Sequence, residues 1–331
     1  MPIPYVSEQA VRAPDIFDEI RAGFRFVADQ AVYVRIREDR LTEYALSLQP
    51  RPPSNTLDAG HHFVSDNAEE LAAYILCLEA VNFGSGYEDD LVRDGWVLVD
   101  RSIYYTVSTA LKQSFEGDGA WTAMRLMRMT GDDMIRIFHL PDSPAGRTLA
   151  QLFAVSLNEL GQYLSEHCDA SFMTLINSAQ GSAGLMVATL VNMPGFADIA
   201  DYCGRRIPIL KRAQIAVADL ELAFAKTGRS LFSGLDRLTI FADCGLPHVL
   251  HLDGVLQLQP ELAARIEAGM FLRAGSDEEV ELRCCAAEAV ERIAVIKGMR
   301  VVDIDHLLWH RSVEDEKYLA KPMHRTLTRF Y

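Results

Sequence analysis

The stretch Leu210 to Phe224, LKRAQIAVADLELAF, decides how the rest of the chain is read. Leu210, Ala213, Val217, Leu220 and Phe224 recur at three- and four-residue steps, the spacing that stacks side chains along one face of an α-helix. Working outward, the same period appears in Leu71, Tyr74, Ile75 and Leu78, and again in Leu149, Phe153, Leu157, Leu160 and Leu164. A further helix is expected from about Glu279 to Ile296. Period-two alternation is confined to short pieces, Gln30 to Arg37 and Gly95 to Val99, so a large parallel sheet is excluded. Breakers cluster at Pro50 to Ser54, Gly84 to Gly86, Gly117 to Gly119, Pro141 to Gly146 and Thr227 to Gly234, each bounding a helical stretch. The expected fold is mainly α, a compact helical domain over 1–331 with few short strands and room for two lobes.

With 49% hydrophobic and 24% charged residues, the 331-residue chain has the composition of a globular protein rather than a disordered tail. Met1 to Ile16 carries Glu8, Arg12 and Asp15 without an apolar run, and no later segment approaches the roughly 18 apolar residues a bilayer span needs. A cytoplasmic protein with no membrane partner is expected. Cys77, Cys168, Cys203, Cys244, Cys284 and Cys285 form no C-x-x-C pair, and buried free thiols are the expected reading. With 46 acidic against 32 basic residues the net charge is -14, which repels a polyphosphate backbone. Direct tRNA or DNA binding is therefore not expected, although a local basic pocket could hold one phosphate. No Gly-rich phosphate loop, G-x-S-x-G elbow or internal repeat is present.

The chemistry-bearing residues gather in the last third. In Asp303 to His310, Asp305 and Trp309 stand four apart, which sets a carboxylate and an aromatic platform on one helix face. The alternative is an aspartate cap and a tryptophan in the core. His306 and His310 share the four-residue spacing but lack a third ligand at an accepted spacing, so no metal is expected. Asp243 is read in a turn between a helical Leu238 to Ala242 and a helix beginning near Pro247. Lys211 and Arg212 read from spacing alone as the solvated end of a helix. His61 and His62 precede a helix that starts after Asp66 or Asn67 and ends near Glu79, Asn82 and Phe83, where Phe83 faces either a pocket or the core. The basic and aromatic stretch Pro322 to Tyr331 reads as a docked end.

Lys211-Arg212-Ala213-Gln214-Ile215 with Val217-Ala218-Asp219, and Leu238 to Asp243 with Leu246-Pro247, resemble the queuosine salvage proteins. Val81-Asn82-Phe83, Val280 to Arg283, Asp305 to Trp309 and His324-Arg325 to Tyr331 follow in the order that family uses, so the likeness covers nearly everything after about residue 60. The resemblance implies an N-glycohydrolase that cleaves queuosine 5'-phosphate to queuine and ribose 5-phosphate, for queuine salvage in tRNA modification, on a fold similar to helix-hairpin-helix DNA glycosylases. It implies Asp305 as first choice for catalysis, with Asp243 and Lys211 beside it. Asp243 and Asp236 are assigned to the guanine-like edge; His61, His62, Phe83, Phe241, Trp309 and His310 are assigned to enclose the base. Lys211, His324 and Arg325 are assigned to the phosphate, with Lys211 as an alternative orienter of Asp243. A monomer without cofactor or metal is expected. The sequence departs from the family pattern at Gly84 to Tyr87, at Cys244-Gly245 and at His248, which leaves the local shape of those turns open. A non-catalytic queuine carrier, and last a DNA or RNA glycosylase, are the competing readings.

Overall fold

The computed structural model describes residues 15–50 and 57–331. The breakers at 51–54 and the run before residue 15 lie outside the described residues. Among the helices that build the core and the cavity are α1 (Ile16–Gln30), α2 (Ala68–Ala80), α3 (Ile103–Asp118), α4 (Pro144–His167), α5 (Lys211–Ala225), α6 (Gly245–Leu252), α7 (Asp277–Lys297) and α8 (Val301–Glu314). The strands are short pairs: β1 (Val34–Ile36) runs antiparallel to β4 (Leu256–Leu258), β2 (Ile199–Tyr202) to β3 (Arg205–Pro208), and β5 (Phe271–Leu272) lies parallel to β6 (Arg325–Thr326). The protein is mainly α. Strand structure in the first alternating stretch is limited to β1, because α1 runs to Gln30; Gly95 to Val99 forms only an isolated bridge from Val99 to Ser102.

Local chemistry sets the helix ends. The Asn67 side chain accepts from Glu69 N and Glu70 N to start α2, Ser102 and Ser143 cap α3 and α4, and Ser276 caps α7. Gly298 ends α7 at φ 69°, in the left-handed region that favours glycine, and a three-residue turn leads into α8. α2 is buried on every face from Leu71 to Ala80, as a helix at the centre of a core must be. It packs on α5 and α3, while α7 is sandwiched between α1 and α8. One continuous hydrophobic cluster extends from Phe17 to Tyr318.

The acidic and basic residues inside α7 organise loops rather than face water. Glu281 accepts the N–H groups of Val32, Tyr33 and Val34 at 3.0, 2.6 and 3.0 Å and the Tyr202 hydroxyl at 2.8 Å. Arg283 donates to Ala242 O at 2.9 Å, ion-pairs with Asp198 and Glu279, and lies 4.4 Å from the centre of the Tyr331 ring. One buried guanidinium thus ties α7 to the 238–244 segment and to the C-terminal stretch. That stretch is docked, as expected: Gly84 N donates to Tyr331 O, and a Cβ on Gly86 would sit 2.1 Å from Thr326 O. Only glycine allows this approach. Five of the cysteines are buried free thiols; Cys203, in the β2–β3 turn, is exposed, contrary to expectation.

Candidate active site

The first turn of α5 is buried, not solvated. Arg212 donates to the carbonyls of Glu79, Ala80 and Gly195, so its charge meets the C-terminal end of α2, where carbonyl dipoles favour a cation. It also lies 4.8 Å from the Phe83 ring. Gln214 grips the following segment: its Nε2 donates to Ile209 O and Thr239 Oγ1, and its Oε1 accepts from Thr239 N at 2.9 Å. This clamp and the Arg283–Ala242 bond use up backbone groups of residues 238–242, which are irregular rather than the helix expected from their apolar run.

Between α2, α3, α5, α8, this segment and the C-terminal stretch lies a cavity of about 330 Å³, at the small end of ligand sites. It brings together His62, Phe83, Lys211, Phe241, Asp243, Asp305, Trp309 and His310. Asp305, in the second turn of α8, is buried and accepts from Phe241 N at 2.7 Å. Burial pushes its carboxyl up to about 8 and Asp243 adds to the shift, against the opposing Phe241 N–H and Lys211 charge. Asp243 Oδ1 instead accepts from Gly245 N at 2.8 Å and Leu246 N at 3.3 Å at the start of α6. Asp243 thus meets two backbone donors where Asp305 meets one. Trp309 stands edge-on to Tyr104 and Tyr105, at 5.8 and 5.7 Å between ring centres.

Four expected site residues are elsewhere. His61 sits behind the wall, between Asp58 and Asp100 and against the Tyr105 ring at 4.4 Å. Asp236 is exposed on a surface turn. His324 is fully enclosed beside Tyr331, and burial lowers its imidazole to about 3, so it is neutral and off the cavity wall. Arg325 is committed to Asp89 and Asp90 and stacks 4.3 Å from the centre of the Phe271 ring. A neutral, walled-in histidine and an arginine already neutralised by two aspartates offer a cavity ligand no charge.

Sequence reasoning missed a second acid pair. Glu79 and Asp219, from α2 and α5, hydrogen-bond each other, and Glu79 Oε1 and Asp219 Oδ2 have no other hydrogen-bond partner among the described residues. Burial, and for Asp219 the Glu79 charge, push both carboxyls up, so the pair shares a proton. Asn82 bridges from Glu79 Oε2 at 2.8 Å to Lys211 Nζ at 3.5 Å, and Asp219 faces the cavity. A signal was present for Glu79, the one acid in the apolar run from Leu71 to Val81; Asp219 is followed two residues on by Glu221 and does not stand out in the same way. Tyr104, whose hydroxyl is 2.9 Å from His62 Nε2, and Arg101 at the rim were also missed.

The model of the family described as queuosine salvage protein matches residues 61–331, most of the chain. The chain belongs to the queuosine salvage protein family. Among its relatives, a protein of Sphaerobacter thermophilus is 35% identical over 329 residues, 93% of this chain and 96% of that protein. A Mus musculus protein is 26% identical over 331 residues, covering 94% and 98%, and one from Dictyostelium discoideum is 30% identical, covering 80% and 79%. All three are named queuosine 5'-phosphate N-glycosylase/hydrolase. Within the queuosine salvage family match, the 61–331 span contains every helix that contributes to the cavity from α2 onward.

Proposed function

We propose that the chain hydrolyses the N-glycosidic bond of queuosine 5'-phosphate, releasing queuine and ribose 5-phosphate. The observation that carries this is one cavity holding two aspartates in opposite environments, Asp243 against two N–H donors and Asp305 in a buried site that keeps it protonated at neutral pH. Breaking the C–N bond develops positive charge at the anomeric carbon and negative charge on the departing base. Asp243 is the anion that faces the first. Asp305 is the acid that answers the second, which revises its role from the sugar side to the base side.

A 7-deazapurine has carbon at position 7, so protonation there does not help departure, and the Asp305 proton acts at another atom of the base. Phe241, Phe83, Trp309 and His62 enclose the ring system, with stacking worth about 1–3 kcal/mol per base. Lys211 is the cation beside the deep carboxyls, and its charge opposes the upward shift of Glu79, Asp219 and Asp305. Arg101 takes the phosphate role in place of His324 and Arg325: it is the only arginine on the cavity wall among the described residues, and its pair with Glu316 at 2.9 Å is exposed and easily exchanged. Water attacks the anomeric carbon as the C–N bond breaks; the base leaves with the Asp305 proton, and the proton that water sheds passes to the Asp243 carboxylate, from which exchange with solvent restores both groups.

The same reading places the reaction in a reducing compartment, the cytoplasm, on a free nucleotide and in a monomer. Six unpaired thiols and the net charge of -14 support it. No helix among the described residues is long and apolar enough to cross a membrane. Free queuine followed by mass spectrometry tests the proposal. Asp243→Asn is expected to lower kcat by about 10³-fold while retaining binding; tight binding without any release by the native protein would instead make it a carrier.

A further inference from the structure

The face of α5 that lines the cavity carries Lys211, Ile215, Asp219 and Leu222, a single stripe at four- and three-residue steps. Its first turn lies at the Asp243 end. Lys211 N donates to Asp198 Oδ2, and Arg283, paired with Asp198, donates to Ala242 O next to Asp243 in the chain. Asp219, two turns on, stands about 12 Å further along the helix axis. In the hydrolase reading Asp243 faces the sugar, so a group that meets Asp219 belongs to the part of the ligand that reaches away from the ribose.

The surroundings of Asp219 define that group. Asp219 is 7% exposed and lines the cavity, whereas Glu79 is fully buried behind it and does not reach the wall. Asp219 Oδ2 is sealed off and has only Glu79 as a partner among the described residues. One oxygen, Oδ1, is left for a ligand. A guanine-like edge, with parallel N–H donors, calls for both oxygens of a carboxylate side by side, which this arrangement withholds.

Charge completes the assignment. One shared proton leaves the acid pair with a single net negative charge. No lysine or arginine among the described residues ion-pairs with either carboxyl: Lys211 Nζ stops 3.5 Å from Asn82 Oδ1, and the Asn82 amide stands between it and Glu79, to which it donates at 2.8 Å. A buried negative charge without a paired cation is costly. A neutral hydroxyl or amide of the ligand would leave that charge uncancelled, whereas an ammonium cancels it and supplies the N–H as well. Queuosine 5'-phosphate carries such a cation in the secondary amine of the side chain at position 7 of the base.

We propose that the Glu79–Asp219 pair is the subsite for the side-chain ammonium of the base, with Asp219 Oδ1 accepting its N–H, and that it selects nucleotides with an amine on position 7 over those with a neutral substituent there. This rests on the hydrolase reading. Asp219 is a specificity residue that acts through binding.

The test measures dissociation constants for a matched pair, the 5'-phosphates of 7-aminomethyl- and 7-hydroxymethyl-7-deazaguanosine, which share base edge, ribose and phosphate and differ in the charge of one donor. Native protein should bind the amine about 10- to 100-fold more tightly. Asp219→Asn should lose that factor on the amine and change binding of the hydroxymethyl nucleotide by less than about threefold. Glu79→Gln, whose amide can donate to Asp219 and leave it charged, should keep the preference for the amine, and decides the matter if the first variant fails to fold. Equal losses on both nucleotides in Asp219→Asn, no preference in native protein, or loss of the preference in Glu79→Gln would overturn the assignment. Native protein that binds queuosine 5'-phosphate and releases no queuine would remove the hydrolase reading, while the amine-to-hydroxyl ratio would still decide Asp219.

Discussion

Arg283 with Asp198 and Glu279, and Glu79 with Asp219, are both acid clusters withdrawn from water and linked to α5, the first through Lys211 N donating to Asp198 Oδ2 and the second through Asp219 itself. In the first, one guanidinium pairs with both carboxylates, and the cluster holds the backbone of Ala242, Lys211 and Gly275. In the second, a shared proton does the neutralising and one member faces the cavity. The contrast separates charge that builds the wall from charge that can change state while the wall stands. A guanidinium is fixed at any working pH; a shared proton is not.

The largest expected effect breaks the first cluster. Arg283→Met leaves Asp198 and Glu279 buried without their cation and releases Ala242, and should cost about 3–5 kcal/mol in urea unfolding. An unchanged midpoint would show that the guanidinium is not what holds the 238–244 segment. Next comes the Asp305 proton: kcat/KM should fall about tenfold per pH unit above about 8, and Asp305→Asn should abolish that alkaline limb along with most activity.

The third effect concerns stability. Glu79 and Asp219 are raised in the folded chain and ionise near about 4 when unfolded, so between those limits the folded state holds the extra proton. Its contribution to stability is fully present below the unfolded value and is lost as pH rises, at about 1.4 kcal/mol per pH unit for one proton. Asp219→Asn should flatten this slope on the alkaline side of the unfolded carboxyl value of about 4 in thermal melts; a slope identical to native would mean no proton is shared. The smallest effect is Glu79→Gln, whose amide can donate to Asp219 while its oxygen still accepts from Asn82, and stability should stay within about 1 kcal/mol.

What could be read from the sequence follows the same division. The periods that gave α2, α4, α5 and α7 are local, and local spacing survives folding because each apolar face meets the core. Asp243 and Asp305 could be nominated, and the Gly245 and Leu246 donors are local to Asp243, but the division of labour depends on the surroundings of Asp305, whose donor Phe241 lies 64 residues away and reaches it only after folding. Leu238 to Ala242 read as helix because it is apolar; Gln214 and Arg283, distant in sequence, hold it otherwise. His324 and Arg325 read as phosphate ligands by composition. Asp89, Asp90 and enclosure beside Tyr331 decide against it, and neither is visible from nearby residues.

The seating of Thr326 over Gly86, with Met323 and Tyr331 on the cavity wall, also bears on synthesis. These residues emerge from the ribosome after the helices they lean on, so a nascent chain can assemble α2, α5 and α7 while one side of the cavity is still open. A product truncated before Met323 carries the aspartates without the wall that keeps them dry.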